Sequence, residues 1–168
     1  MRNFLRRAGW LSLVILFVGT SLGIGIWAFW VNTHQKNDTA ASKPKTTKLA
    51  GTKLQNYEPI AKVDSLKKID EVPGTGTAAK STSTITVSYT GALASTGVIF
   101  ESSQDTGQPV TFALNQVIKG WQEGLPGMRV GGTRRLLIPS ALAYGPQAQG
   151  SIPPNSDLVF EVTLLAVK

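Results

Sequence analysis

The sequence predicts an α+β protein: an antiparallel sheet with one short helix against its apolar face, preceded by one transmembrane helix. Three observations predict it. Segments between residues 84 and 167 alternate apolar and polar side chains, the period of a half-buried strand. One stretch in that region, residues 120–126, has helical spacing instead. Ahead of both, residues 8–31 run for 24 positions without a charge.

The uncharged run is rich in Leu, Ile, Val, Phe and Trp. A helix of about 20 such residues crosses the hydrocarbon core. Signal peptides use shorter apolar regions, about 7–15 residues, and no A-x-A-type cleavage site follows at a suitable distance. Trp10 stands at one end and Trp27 and Trp30 at the other, as membrane interfaces favour. Arg2, Arg6 and Arg7 precede the run and, by the positive-inside rule, hold residues 1–7 in the cytoplasm. Lys36, Lys43 and Lys45 on the far side make that bias modest. The expectation is a single-pass anchor in the plasma membrane with the remainder outside. The alternative is secretion after signal cleavage.

Residues 32–59 are expected as a flexible linker. They are rich in Lys, Thr and Ala, contain Pro44 and Gly51, and show no sustained apolar period. A solvated spacer is favoured over contact of its lysines with anionic head groups.

Residues 60–168 are expected to be the folded domain. Thr84-Ile-Thr-Val-Ser-Tyr89 puts Ile85, Val87 and Tyr89 on one face. Ser95-Thr-Gly97 is a turn, and Val98-Ile-Phe100 is extended again. Val110-Thr-Phe-Ala-Leu114 alternates, and Arg134-Arg-Leu-Leu-Ile138 is a strand stopped by Pro139. A long final strand from Asp157 to Val167 carries Leu158, Phe160, Val162 and Leu164 on one face. The helix is Gly120-Trp-Gln-Glu-Gly-Leu-Pro126, with Trp121 and Leu125 one turn apart. Runs of strands with one segregated helix make an α+β architecture.

Composition narrows the chemistry. No cysteine is present, which excludes disulfides, thiol nucleophiles, zinc–thiolate sites and lipid attachment through cysteine. The net charge of +7 suggests nucleic acid, but the domain carries nine basic and eight acidic residues. The excess therefore lies outside the folded part, and no nucleic-acid function is expected. The sole histidine, His34, falls in the linker. No HExxH, Walker-type phosphate loop or metal-ligand cluster appears, and no cofactor is expected. What stands out is an aromatic set, Tyr89, Phe100, Phe112, Trp121, Tyr144 and Phe160. By composition alone these residues are ordinary core.

Their contexts say more. Val87-Ser-Tyr-Thr-Gly91, Phe100-Glu-Ser-Ser103, Val117-Ile-Lys-Gly-Trp-Gln-Glu-Gly124, Gly127-Met-Arg-Val-Gly-Gly132, Arg134-Arg-Leu-Leu-Ile-Pro139, Ala143-Tyr-Gly145, Ile152-Pro-Pro154 and Leu158-Val-Phe-Glu-Val162 occur in this order. Each resembles the matching segment of the FK506-binding-protein (FKBP-type) peptidyl-prolyl cis/trans isomerases, here of a bacterial type with an N-terminal membrane anchor. Together they cover essentially the whole domain. The resemblance implies a twisted antiparallel sheet wrapped around one short helix. It implies an apolar pocket floored by Trp121 and walled by Tyr89, Phe100, Val117, Ile118, Tyr144, Ile152 and Phe160. The Tyr144 hydroxyl and the Ile152 N–H match the donors to the substrate carbonyl. Phe112 and Val110 are further substrate-binding positions. Tyr89, Phe100, Glu101, Tyr144 and Phe160 are carried over as the catalytic set.

Three features depart from the family pattern. Val110 replaces a frequent aromatic. The loops Leu114-Asn-Gln-Val117 and Gly145-Pro-Gln-Ala-Gln-Gly150 are short or lack aromatic and histidine residues. Glu101 replaces the usual aspartate and is one methylene longer, which leaves its contact with the Tyr89 hydroxyl open. An altered preference for the residue before proline and weaker macrolide binding are expected.

The implied reaction needs no reactive group. Rotation about an X–Pro amide crosses a barrier of about 18–20 kcal/mol that arises from lost resonance. The expected partners are proline-containing, partly folded polypeptides and FK506-like macrolides, with the membrane reached through residues 8–31. A monomer is expected. The competing readings are a non-catalytic proline-binding module and a non-specific chaperone. The short flap, which has no room for an inserted apolar surface, disfavours the chaperone.

Overall fold

The computed structural model describes residues 48–168. The expected cytoplasmic tail, the transmembrane helix 8–31 and most of the linker lie outside the described residues. Among the described residues, no helix is long and apolar enough to cross a membrane.

Six strands form one antiparallel sheet: β1 (Lys67–Val72), β2 (Thr84–Leu93), β3 (Ile99–Ser102), β4 (Val110–Ala113), β5 (Thr133–Ile138) and β6 (Leu158–Val167). The order across the sheet is β1-β5-β6-β2-β3. β4 also pairs with β2, over Thr84 to Val87, whereas β3 pairs with it over Thr90 to Ala92. The ten-residue length of β2 is what gives both short strands a partner. Helix α1 (Lys119–Gly124) lies against β5. The predicted alternation holds: Ile85, Val87 and Tyr89 are buried, as are Leu158, Phe160, Val162 and Leu164. They form one core with Trp121 and Leu125 of the helical segment.

A six-residue helix has little intrinsic stability, so tertiary packing must hold it. Gly120 and Gly124 stand one turn apart and leave α1 a flat face. A Cβ at Gly120 would fall inside the buried Ile138 side chain, and one at Gly124 would lie 2.8 Å from Leu136 Cδ2. The glycines that weaken the helix locally are what let it approach the sheet. Its C-terminal carbonyl at Gly124 accepts from Arg134 Nη1 at 2.7 Å, which satisfies one of the acceptors every helix end leaves open.

Strand β1 was not predicted. All six of its residues are exposed, so Lys-Lys-Ile-Asp-Glu-Val shows no apolar face to read. Charges hold it instead. Asp70 meets buried Arg134 through two hydrogen bonds, at 2.6 and 3.1 Å, and Lys68 Nζ donates to the Glu123 carbonyl at 2.9 Å. Charged side chains also protect an edge strand from pairing with other chains. The hydrogen bond from Arg134 holds the Asp70 carboxyl below the usual aspartate range, against a smaller opposing effect of burial. A depressed folded pKa stabilises the fold above the unfolded value and loses that contribution as pH falls through the folded one. Asp70→Asn is therefore expected to lower stability by about 0.2–1 kcal/mol at neutral pH, since solvent screens the half-exposed carboxylate. The deficit should shrink as pH falls below the ordinary aspartate range and vanish once wild-type Asp70 is protonated too. Thermal unfolding of both proteins across pH measures it.

The boundary between linker and domain needs correction. Residues 48–59 are not free of the domain. Leu54 and Val63 are buried with Ala92, Ala94, Ile99, Leu137 and Val159, and Leu49, Tyr57 and Ile60 pack around them. Leu137 and Val159 alternate with Leu136 and Phe160 of the main core, so this second cluster covers the opposite sheet face. Backbone bonds secure the segment to the outer side of β3: Gly51 N–H donates to Ile99 O at 2.7 Å, and Ile99 N–H to Thr52 O at 2.8 Å. The Leu49 N–H meets Asp105 Oδ1 at 2.5 Å, and the Tyr57 hydroxyl donates to Ala94 O at 2.8 Å. The apolar residues of this strap are spaced irregularly, because each fills a gap the sheet provides rather than following a period of its own.

Candidate functional site

The site opens where α1, the loop before it, and β2, β3, β4 and β6 converge. A cavity of about 300 Å³ is lined by Tyr89, Glu101, Phe112, Gln116, Val117, Ile118, Trp121, Tyr144 and Phe160. Strand alternation delivers Tyr89 from β2 and Phe160 from β6 to the same face, where the helix presents Trp121. The aromatic rings meet edge to face. Trp121 lies 5.4 Å from Tyr89 at 87°, 5.6 Å from Phe112 at 86° and 5.4 Å from Phe160 at 85°. Three rings therefore stand around the indole, an arrangement that aromatic quadrupoles favour over flat stacking. Trp121 is 4% exposed, and its indole N–H has no partner among the described residues.

Glu101 settles the open question at its position. The Tyr89 hydroxyl donates to Glu101 Oε1 at 2.8 Å, so the longer side chain still makes the contact. Burial first, and then the hydrogen bond and charge of Glu101, push the Tyr89 pKa well above the ordinary tyrosine value. Burial and the charge of Glu101 raise Tyr144 as well. Both hydroxyls thus remain donors throughout the neutral range.

The loop into α1 is held by its own helix. Gln122 Nε2 donates to the Val117 carbonyl at 2.7 Å, and the Ile118 carbonyl accepts the N–H groups of Trp121 and Gln122 at 2.9 and 3.1 Å. Val117 and Ile118 are thereby fixed on the cavity wall.

Eight of the residues expected at the site line this cavity: Tyr89, Glu101, Phe112, Val117, Ile118, Trp121, Tyr144 and Phe160. Three do not. Phe100 meets Phe160 edge-on at 5.7 Å and 82°. Val110 packs half-buried against the core. Ile152 is buried, and its N–H donates to the Gln149 carbonyl at 2.9 Å, with Gln149 N–H returning a bond to Ile152 O at 3.0 Å. The expectation that this N–H serves a substrate carbonyl is corrected: a tight turn already uses it. Ile118 lines the cavity, and its N–H has no partner among the described residues. Gln116 also lines the cavity and was not anticipated. It sits in a 3-10 turn, Leu114–Gln116, whose sequence shows no apolar period.

Comparison with known proteins agrees with this geometry. The profile of the family described as FKBP-type peptidyl-prolyl cis-trans isomerase matches residues 75–165, over half of the chain. The isomerase FkpA of Aeromonas hydrophila is 51% identical over 98 residues, covering 58% of this chain and 36% of the relative. The chain thus spans about a third of that curated relative's length. The crystal structure of FkpA from Escherichia coli superposes with a TM-score of 0.58 at 41% identity, covering 69% of this chain and 53% of the other. A peptidyl-prolyl isomerase structure from Pseudomonas syringae superposes with a TM-score of 0.57 at 38% identity, covering 65% and 80%. The ringed tryptophan, the paired Tyr89 and Glu101, and the match over residues 75–165 lead to one conclusion: the chain belongs to the FKBP-type peptidyl-prolyl cis-trans isomerase family.

Proposed function

We propose that the domain accelerates cis/trans rotation of X–Pro bonds in polypeptide substrates. The observation that carries this reading is the aromatic cavity around Trp121, with two protonated tyrosine hydroxyls on its edge. A twisted amide has less charge on oxygen than a planar one. A dry, aromatic-walled pocket therefore favours the twisted form relative to water. Enclosing the proline ring against Trp121, Phe112 and Phe160 fixes one side of the rotating bond. The Tyr144 hydroxyl and the Ile118 N–H orient the carbonyl on the other side. Catalysis is then preferential binding of the transition state, without a covalent step. The test is isomerisation of a short X–Pro peptide by the full chain in detergent micelles. No acceleration by correctly folded protein would overturn the reading.

Because both tyrosine pKa values are raised, the donors survive as pH rises. The midpoint of any falling limb in kcat/KM is expected above about pH 10, the ordinary tyrosine value. A pH–rate profile with a falling limb near pH 9 would contradict this assignment.

The location is a proposal of the same kind. The uncharged run at 8–31, its flanking tryptophans and the three leading arginines support an anchor that leaves the domain outside the plasma membrane. Substrates would then be partly folded extracytoplasmic chains. The N-terminal mass of the mature protein tests it, since loss of residues 1–31 would mean secretion. The pocket also supports binding of FK506-like macrolides, measurable as inhibition of the peptide assay.

A further inference from the structure

Tyr144 reaches the cavity from a stretch with no regular secondary structure of its own, so something else must hold it. Its neighbours are tied to Ser140, whose carbonyl accepts the N–H groups of Ala143 at 3.0 Å and Gly145 at 2.9 Å. Ser140 is tied in turn to Asp157, just ahead of β6. The Ser140 N–H donates to Asp157 Oδ1 at 2.8 Å. The other carboxylate oxygen, Oδ2, accepts the N–H of Val63 at 2.7 Å, from the strap on the opposite sheet face. The Asp157 carbonyl accepts Ala94 N–H at 2.9 Å, and the Gly145 carbonyl accepts Asn155 N–H at 2.7 Å. These bonds close a ring: Asp157, Ser140, Gly145, Asn155 and back along the chain to Asp157. Tyr144 is carried inside it.

We infer that Asp157 is a positioning residue for the isomerase site, coupling the N-terminal strap to the placement of Tyr144. A carboxylate suits this task because it only accepts and can serve two backbone N–H groups at once. Such charge-assisted bonds are shorter and stronger than neutral ones. Asparagine can serve one of the two amides and turns an NH₂ toward the other. The coupling runs from Val63 through Asp157 and Ser140 to Tyr144, and it touches none of the apolar walls around Trp121. The sequence shows none of this: Asp157 reads there as the first residue of a strand.

The inference rests on the isomerase reading, and its test separates the two. Asp157→Asn is made in the full-length wild-type chain and in Tyr144→Ala, with melting temperature recorded for each. In the wild-type background kcat/KM is expected to fall about tenfold, mostly through KM, because a misplaced donor weakens substrate binding. In the Tyr144→Ala background the same substitution is expected to leave kcat/KM unchanged while lowering the melting temperature equally. A similar loss in both backgrounds, or none in either, overturns the inference. Trp121 fluorescence titration with a proline peptide repeats the cycle on affinity, so an inactive wild type sinks the isomerase reading and still leaves this one decided. Should Asp157→Asn fail to fold, Asp157→Ala is read in its place. Failure of both makes Asp157 a folding determinant and overturns the positioning role.

Discussion

Trp121→Ala is expected to cost about 3–5 kcal/mol of stability, the range for emptying an aromatic site in a packed core. Trp121 is 4% exposed and holds three edge-on rings, so nothing nearby can relax into the space without losing those contacts. The rings of Tyr89, Phe112 and Phe160 lose their common partner, and water gains entry to the place where the proline ring is to be enclosed. Activity should fall by about 100-fold or more where the fold survives, since desolvation and positioning are lost together. Trp121→Phe separates these effects. The buried indole N–H has no partner among the described residues, so phenylalanine removes a polar group that nothing satisfies. Its stability cost is expected to be under about half that of alanine. Chemical denaturation and the peptide assay on both variants measure this. A fully active alanine variant would show that the tryptophan is only core.

Gly91→Ala should act on the same site through the rings of Phe100 and Phe160. A Cβ added at Gly91 would lie 2.6 Å from Phe100 Cζ and 2.7 Å from Phe160 Cε1. Both rings are confined, Phe160 by Trp121 and Phe100 by Phe160 itself. One methyl group must therefore push Phe160 into the cavity or force the strand apart. Overpacking of this kind costs about 1–3 kcal/mol. Because the displaced ring is a cavity wall, kcat/KM is expected to fall about tenfold or more, the penalty for misplacing a reacting group by about an ångström. Thermal unfolding and peptide kinetics should move together. Unchanged kinetics would mean that Phe160 does not contact the substrate.

The aromatic wall was legible in the sequence for a physical reason. Tyr89 and Phe160 belong to strands with clean alternation, and Trp121 to the one helical stretch predicted between residues 84 and 167, so each declared its face from local period alone. Glu101 could be placed beside Tyr89 by family resemblance, but whether its extra methylene allowed a bond depended on the separation of β2 and β3. Ile152 misled because a backbone N–H has no side-chain signature. Its engagement with Gln149 is visible only once the turn is built.

The strap was misread for a related reason. Leu54 and Tyr57 look like scattered apolar residues in a polar linker. They become a packed layer because Ala92, Leu137 and Val159 present a second apolar face to them. β1 was missed since charge pairs, rather than an apolar stripe, attach it.

Residue order alone therefore settled which side chains face the core, which segment is helical and which family the domain resembles. These are properties of a residue and its near neighbours. Folding in three dimensions settled the rest: the strap, the close approach at Gly91, the Tyr89–Glu101 bond and the link from Val63 to Asp157, 94 positions apart. Such contacts form only between surfaces that have already been shaped, so no local period could announce them.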